Sequence, residues 1–195
     1  MNTTDFLSIA TAICPDRDAI VFEGNRWSYA ETTERTNRLA HALMGLGVKR
    51  GDRIGMLEVN CNQYVEAYFA AAKLGAIFVP LNFRAKADEL QYMIGNAEAK
   101  ILLVGTRYVD MLDTLLPKLP TVTTCIALED EHKGMPFYED LLTSSSPDEV
   151  TTESGDDDIT MLMYTAGTTG RPKGVPLTHN GFVLYVLDNV EPASP

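Results

Sequence analysis

Short apolar runs alternate along this chain with longer segments in which apolar residues recur every three or four positions. That alternation predicts strands and helices in turn. Residues 1–18 predict a short helix ending near Cys14-Pro15. Ala19-Ile20-Val21-Phe22 and Arg26-Trp27-Ser28 flank Glu23-Gly24-Asn25 and predict a β-hairpin. Ser28 and Glu31 have the spacing of a capping box, in which side chain and backbone exchange hydrogen bonds at a helix start. Leu39, Leu43 and Leu46 give the helix that follows an apolar stripe, and Gly45 and Gly47 supply its stop. Residues 53–59 predict a strand. The next helix, capped by Asn60 or Asn62, turns Tyr64, Ala67, Tyr68 and Ala71 inward and ends at Gly75.

The pattern continues with a buried strand, Ala76-Ile77-Phe78-Val79, closed by Pro80. A helix over 88–94, a strand Ile101-Leu102-Leu103-Val104, a helix over 109–116 stopped by Pro117 and an extended stretch over 122–128 follow. Short, continuously apolar strands separated by helices predict an α/β fold with mostly parallel sheets covered by helices on both faces. From 143 to 158 the composition changes to Ser144-Ser145-Ser146-Pro147, Glu149, Glu153 and Asp156-Asp157-Asp158. This reads as an acidic linker between an α/β subdomain over 1–142 and a second subdomain that begins at 159. Consecutive aspartates cannot all face one ion, so a charged linker is favoured over a metal site.

Composition narrows the class only a little. Of 195 residues, 45% are hydrophobic and 22% charged, values at which most of the chain folds. The net charge of −11 argues against a nucleic-acid partner. Cys14, Cys61 and Cys125 are widely spaced and odd in number, which fits free thiols in a reducing compartment better than disulfides or zinc ligands. His41, His132 and His179 are equally scattered; His179 reads as a first-turn helix residue, with a polar contact near phosphate as the alternative. No secretory signal is legible, and the most apolar window, 67–81, is interrupted by Lys73, Gly75 and Pro80. The expectation is a cytoplasmic protein with no transmembrane segment.

The chemistry concentrates in Tyr164-Thr165-Ala166-Gly167-Thr168-Thr169-Gly170-Arg171-Pro172-Lys173-Gly174-Val175. Before it lies the apolar run 159–164, a buried strand; after it, 175–177 is extended and Thr178 is placed to cap a helix over 182–190. Glycines allow positive φ and close backbone approach, so successive N–H groups can converge on an anion. Thr165, Thr168 and Thr169 add hydroxyls, and Lys173 adds a mobile positive charge. Gly-Thr-Thr-Gly by itself is also the composition of an ordinary turn. The string is not a Walker A loop, because Pro172 and Gly174 stand where Gly and Ser or Thr would flank the Lys.

The whole string resembles the phosphate-loop signature of the adenylate-forming (AMP-binding) superfamily, which includes acyl-CoA synthetases, peptide-synthetase adenylation domains and luciferases. It departs at Ala166, where Ser is common. Trp27-Ser28-Tyr29-Ala30-Glu31, Asn37-Arg38-Leu39-Ala40, the stretch 47–53 and the stretch 75–82 carry the resemblance upstream and favour the acyl-CoA synthetase branch. The resemblance implies part of the large N-terminal domain of the acyl-CoA synthetase-like fold. It also implies an AMP-forming ligase that joins a small-molecule carboxylic acid to ATP and passes the acyl group to coenzyme A, with Mg²⁺ as cofactor. By carry-over, Thr165, Thr168 and Thr169 contact phosphate oxygens, Gly167 and Gly170 let the backbone close round the anion, Lys173 balances developing charge, and Thr165 neighbours Mg²⁺. Thr165 and Lys173 are thus the expected catalytic residues. The family's glutamate motif, ribose-binding aspartate and C-terminal lysine have no counterpart up to Pro195. The expectation is therefore an N-terminal fragment, inactive alone, whose partner is the missing C-terminal part. The alternatives are a non-catalytic nucleotide- or partner-binding module, or an adenylation enzyme with a different thiol acceptor.

Overall fold

The computed structural model describes residues 1–132, 134–151, 154–165 and 170–190. It begins with helix α1 (Thr3–Ile13), followed by the antiparallel hairpin β1 (Asp18–Phe22) and β2 (Asn25–Ser28). Helix α2 (Tyr29–Gly45) starts at the expected capping box: Ser28 Oγ accepts the Glu31 N–H at 3.2 Å, and Glu31 Oε2 accepts the Ser28 N–H at 2.7 Å. Then come β3 (Arg53–Leu57), α3 (Asn62–Lys73), β4 (Ile77–Pro80), α4 (Ala87–Ala97), β5 (Ala99–Val104), α5 (Val109–Leu115), β6 (Thr124–Ala127) and α6 (Tyr138–Ser144). The described chain closes with β7 (Ile159–Thr165), β8 (Lys173–Thr178) and α7 (His179–Asn189).

Apart from the β1-β2 hairpin, the strands of the described residues form a six-stranded sheet in the order β6-β5-β3-β4-β7-β8. Neighbours run parallel throughout except β7 and β8. The fold is therefore the expected α/β type, with a mostly parallel sheet flanked by helices. The connection leaving β3 leads to β4 on one side and the connection leaving β5 leads to β6 on the other, so the chain departs in opposite directions from the carboxyl ends of these neighbouring strands. Such a divergence leaves a crevice at the sheet's carboxyl edge.

Burial on both faces explains why the inner strands are continuously apolar. In β5, Ile101 and Leu103 enter one core with Leu39, Leu43, Ala67, Ala71 and Tyr138. Leu102 and Val104 enter the other with Leu90, Met93, Ile94 and Leu112. Gly55 is required for close approach: a Cβ there would lie 2.6 Å from Leu102 Cδ2.

Two local expectations needed correction. The N-cap of α3 is Cys61, which makes no side-chain capping bond, rather than Asn60 or Asn62. The Asn62 amide instead donates to Glu66 Oε1 at 2.9 Å, because that fully buried carboxylate needs donors. Helix α6 was not anticipated. Its Tyr138, also fully buried, donates its hydroxyl to Glu66 Oε2 at 2.6 Å.

The acidic stretch 143–158 is strapped to the preceding helices where it is described. Glu149 pairs with the buried Lys73 ammonium, Asn37 Nδ2 donates to the Pro147 carbonyl at 3.1 Å, and Arg50 pairs with Asp158 at 2.6 Å. Beyond it, β7 pairs with β4 through Phe78 and Met161 in the same sheet.

Candidate functional site

Strands β7 and β8 are the two arms of the glycine-rich connection. Their register runs from Ile159 opposite Thr178 to Thr165 opposite Lys173, so residues 166–172 span the gap between the arms. Residues directly opposite in an antiparallel pair project from the same face. The Thr165 hydroxyl and the Lys173 ammonium thus share one face at the mouth of the connection, and both residues are exposed. Among the described residues the Lys173 ammonium has no ion pair or hydrogen bond.

The alternation of β7 separates two faces. Met161 packs against the core that contains Phe78, whereas Leu162 and Tyr164 pack against the core that contains α4. Thr165 and Lys173 therefore lie on the opposite side of the ribbon from Tyr164. Gly170 has φ +143°, a conformation that favours glycine, and a Cβ there would meet nothing within 4 Å. Gly174 serves space instead: a Cβ would sit 3.1 Å from Leu162 Cδ1 and 3.5 Å from the Tyr164 ring. Of the residues expected to bind phosphate, Thr165, Gly170 and Lys173 are thus located. Gly167, Thr168 and Thr169 lie outside the described residues, as does Ala166. An exposed ammonium and hydroxyl on one face suit an anion such as phosphate, and the hydroxyl offers one neutral oxygen to a metal ion.

The chain after the mouth is fixed by a cap and a buried imidazole. Thr178 Oγ1 accepts the Gly181 N–H at 3.1 Å, as its position predicted. His179 is the first residue of α7 and faces α1: it is buried, with Nδ1 2.9 Å from Thr3 Oγ1. Burial lowers its pKa, against the opposing charges of Asp158, Asp156 and Asp5. Of the three aspartates in a row, Asp156 meets the amino terminus at 3.3 Å and Asp158 meets Arg50. Among the described residues, no group of three His, Cys, Asp or Glu side chains is placed to hold a metal ion.

Cys14, Cys61 and Cys125 are free, and burial pushes the Cys61 and Cys125 thiols up to about 11, which leaves them unreactive at neutral pH. Among the described residues, no helix is long and apolar enough to cross a membrane.

A second polar centre lies at the carboxyl ends of β3, β5 and β6, and the sequence reading missed it. Glu58 is 2% exposed; its Oε1 accepts the Val59 N–H at 2.6 Å and lies 3.4 Å from Arg107 Nε. Its other oxygen occupies the space where a Cβ on Gly105 would stand, 1.3 Å away. Close by, Arg35 bridges Glu66 at 2.9 Å and Glu139 at 2.6 Å, linking α2, α3 and α6. The available signal was a carboxylate directly after the apolar strand Ile54-Gly55-Met56-Leu57.

Residues 9–193 match the family model described as AMP-binding enzyme. A curated relative, the 3-oxocholest-4-en-26-oate–CoA ligase of Rhodococcus rhodochrous, is 38% identical over 185 residues, which is 92% of this chain and 33% of the relative. The medium/long-chain-fatty-acid–CoA/3-oxocholest-4-en-26-oate–CoA ligase of Mycolicibacterium smegmatis is 36% identical over 186 residues, again 92% of this chain and 33% of the relative. Among solved structures, an anthranilate CoA ligase in complex with anthranoyl-AMP superposes with TM-score 0.93 at 26% identity, covering 96% of this chain and 36% of that one. The chain spans about a third of the length of the curated relatives it matches.

Proposed function

This chain belongs to the AMP-binding enzyme family, and on that premise we propose that it supplies the nucleotide-phosphate grip of an AMP-forming acyl-CoA ligase. A carboxylate oxygen of the substrate acid attacks the α-phosphorus of ATP, the bond from that phosphorus to the β-phosphate oxygen breaks, and pyrophosphate leaves. The sulfur of coenzyme A then attacks the carbonyl carbon of the acyl-adenylate, and AMP leaves with the electron pair of the broken C–O bond. Transfers of this kind depend on positioning and on neutralising phosphate charge.

The observation that carries this reading is the Lys173 ammonium. It stands exposed, without a counter-ion among the described residues, on a chain of net charge −11. Lys173 neutralises charge on the β- and γ-phosphates, and the hydroxyl of Thr165 beside it binds a phosphate oxygen. Gly167, Thr168, Thr169 and Gly170 complete the cradle with backbone and hydroxyl donors. The described donors fit Mg²⁺ carried mainly by the phosphates, since Thr165 offers one neutral oxygen and no group of three candidate side-chain ligands is found among the described residues. When bound, Mg²⁺ supplies further neutralisation of phosphate charge, and Thr165 would hold it.

The names of the two curated relatives cite a steroid acid and medium- and long-chain fatty acids. We take those apolar acids as the substrate class to test first, with coenzyme A as acceptor. The free thiols support a reducing, cytoplasmic setting. Because the chain covers about a third of its relatives, these 195 residues by themselves bind nucleotide without turning it over.

Titration of the chain with MgATP tests the grip. Saturable binding is expected, and Lys173→Ala should weaken it about 10- to 100-fold, the loss of a hydrogen bond to a charged group. Equal affinity in the variant would overturn the assignment. Pyrophosphate release with ATP, Mg²⁺ and a fatty-acid panel should stay at background for the chain alone, and clear turnover would overturn that part.

A further inference from the structure

Two residues of the glycine-rich string, Tyr164 and Arg171, contact helix α4, which carries none of that string's sequence. Tyr164, the residue before Thr165, donates its hydroxyl to Asn96 Oδ1 at 2.7 Å. Just ahead of the other arm, the Arg171 guanidinium carbon lies 5.1 Å from the centroid of the Tyr92 ring. Tyr92 and Asn96 are one helical turn apart on α4 and so share a face. A groove of about 550 Å³ between α4 and Gly170-Arg171-Pro172, lined also by Asp88 and Glu89, lies ahead of the second arm.

We infer that Tyr92 and Asn96 are positioning residues that hold the chain on either side of the loop, at Tyr164 and Arg171, and thereby set the placement of Thr165 against Lys173. The inference rests on the phosphate-binding reading above and deepens it. Three observations carry it. The two contacts arise from one turn of one helix but reach opposite sides of the loop. They attach close to the donors, at Tyr164 immediately before Thr165 and at Arg171 two residues before Lys173. And Tyr164 lies on the reverse face of the ribbon from both donors, so the clamp leaves the ligand face open. An arm free to swing would have to be ordered by the phosphate itself, which weakens binding; a clamped mouth avoids that cost.

The test combines amide hydrogen exchange with MgATP titration on the 195-residue chain. Tyr92→Leu and Asn96→Ala should each speed exchange in the peptide spanning 164–174 and raise the Kd for ATP about three- to tenfold, as expected for one cation–π contact or one exposed hydrogen bond. Peptides from β3 and β5 should exchange as in the wild type. Tyr92→Phe keeps the ring face under Arg171 and should keep wild-type exchange, which assigns the contact to the ring and not to the hydroxyl. The double variant Tyr92→Leu/Arg171→Gln should be no worse than either single change, since both remove the same contact. Unchanged exchange over 164–174 in both Tyr92→Leu and Asn96→Ala would overturn the inference, as would a Tyr92→Phe variant as fast as Tyr92→Leu. A wild-type chain that fails to bind ATP would overturn the phosphate reading instead, and the exchange data would then decide the clamp by themselves.

Discussion

The inner strands β5-β3-β4 and the strands of the outer arm β7-β8-α7 share one sheet, yet the two regions are built to different rules. Inner strands are covered by helices on both faces, and Ile54, Met56, Ile101, Leu102 and Leu103 are wholly buried. The outer arm leaves Met163, Val175, Leu184, Tyr185 and Leu187 exposed, and it ends in an edge strand interrupted by Pro176. A groove of about 460 Å³ lined by Pro176, Leu177, Thr178, Gly181, Phe182 and Tyr185 marks the same apolar side. Stability therefore resides where neither face meets water, while the donors of the proposed chemistry sit on an arm that is lightly packed. Local stability of this uneven kind is common where binding loops are carried.

Four measurements would break or sharpen that contrast. The largest effect is expected inside: Arg35→Ala strips the buried Glu66 of its counter-charge and should lower unfolding free energy by about 3–5 kcal/mol in urea denaturation. A loss below about 1 kcal/mol would mean that Tyr138 and Asn62 satisfy Glu66 unaided. Next, Leu103→Ala should cost about 2–5 kcal/mol, whereas the exposed Leu184→Ala should stay within about 0.5 kcal/mol. Equal losses at the two sites would erase the difference between the regions.

The third measurement concerns acid. Burial holds the His179 pKa below its ordinary 6.5, so the unfolded chain binds the proton more readily than the folded one. The contribution is fully present above the ordinary value and is lost as pH falls from there through the depressed folded value. Melting temperature should drop over that range, and His179→Asn should flatten the profile. A wild-type profile already flat there would remove His179 as a tie between α7 and α1. The smallest effect on folding is expected from Leu187→Lys on the exposed face of α7. Self-association in sedimentation should fall while the urea midpoint holds, because an apolar patch shrinks without loss of core.

The same contrast governs what the sequence made legible. Ile101-Leu102-Leu103-Val104 announced itself as a strand because burial on both faces removes polar residues from the run. The two strands that flank the glycine-rich string were legible because they lie next to each other in the chain, and their register sets Thr165 against Lys173. Helix α6 was hidden because it is short and buries only Tyr138 and Leu142, too few positions to show a helical period. The cap of α3 was misassigned because Asn62 answers to Glu66, a demand visible only once the carboxylate is known to be buried. Asn96, 68 positions from Tyr164, and Gly105, which gives room to Glu58, were out of reach for the same reason. Asn96 and Gly105 owe their identities to neighbours far along the chain.

Gly174 shows how far such a dependence extends. Its backbone needs no unusual angle; what it provides is vacancy beneath the Leu162 methyl and the Tyr164 phenol. A single methyl at that point would meet the phenol only at ordinary contact distance but would crowd the end of Leu162, so the bare backbone lets a leucine and a tyrosine lie side by side over one short stretch of the edge strand.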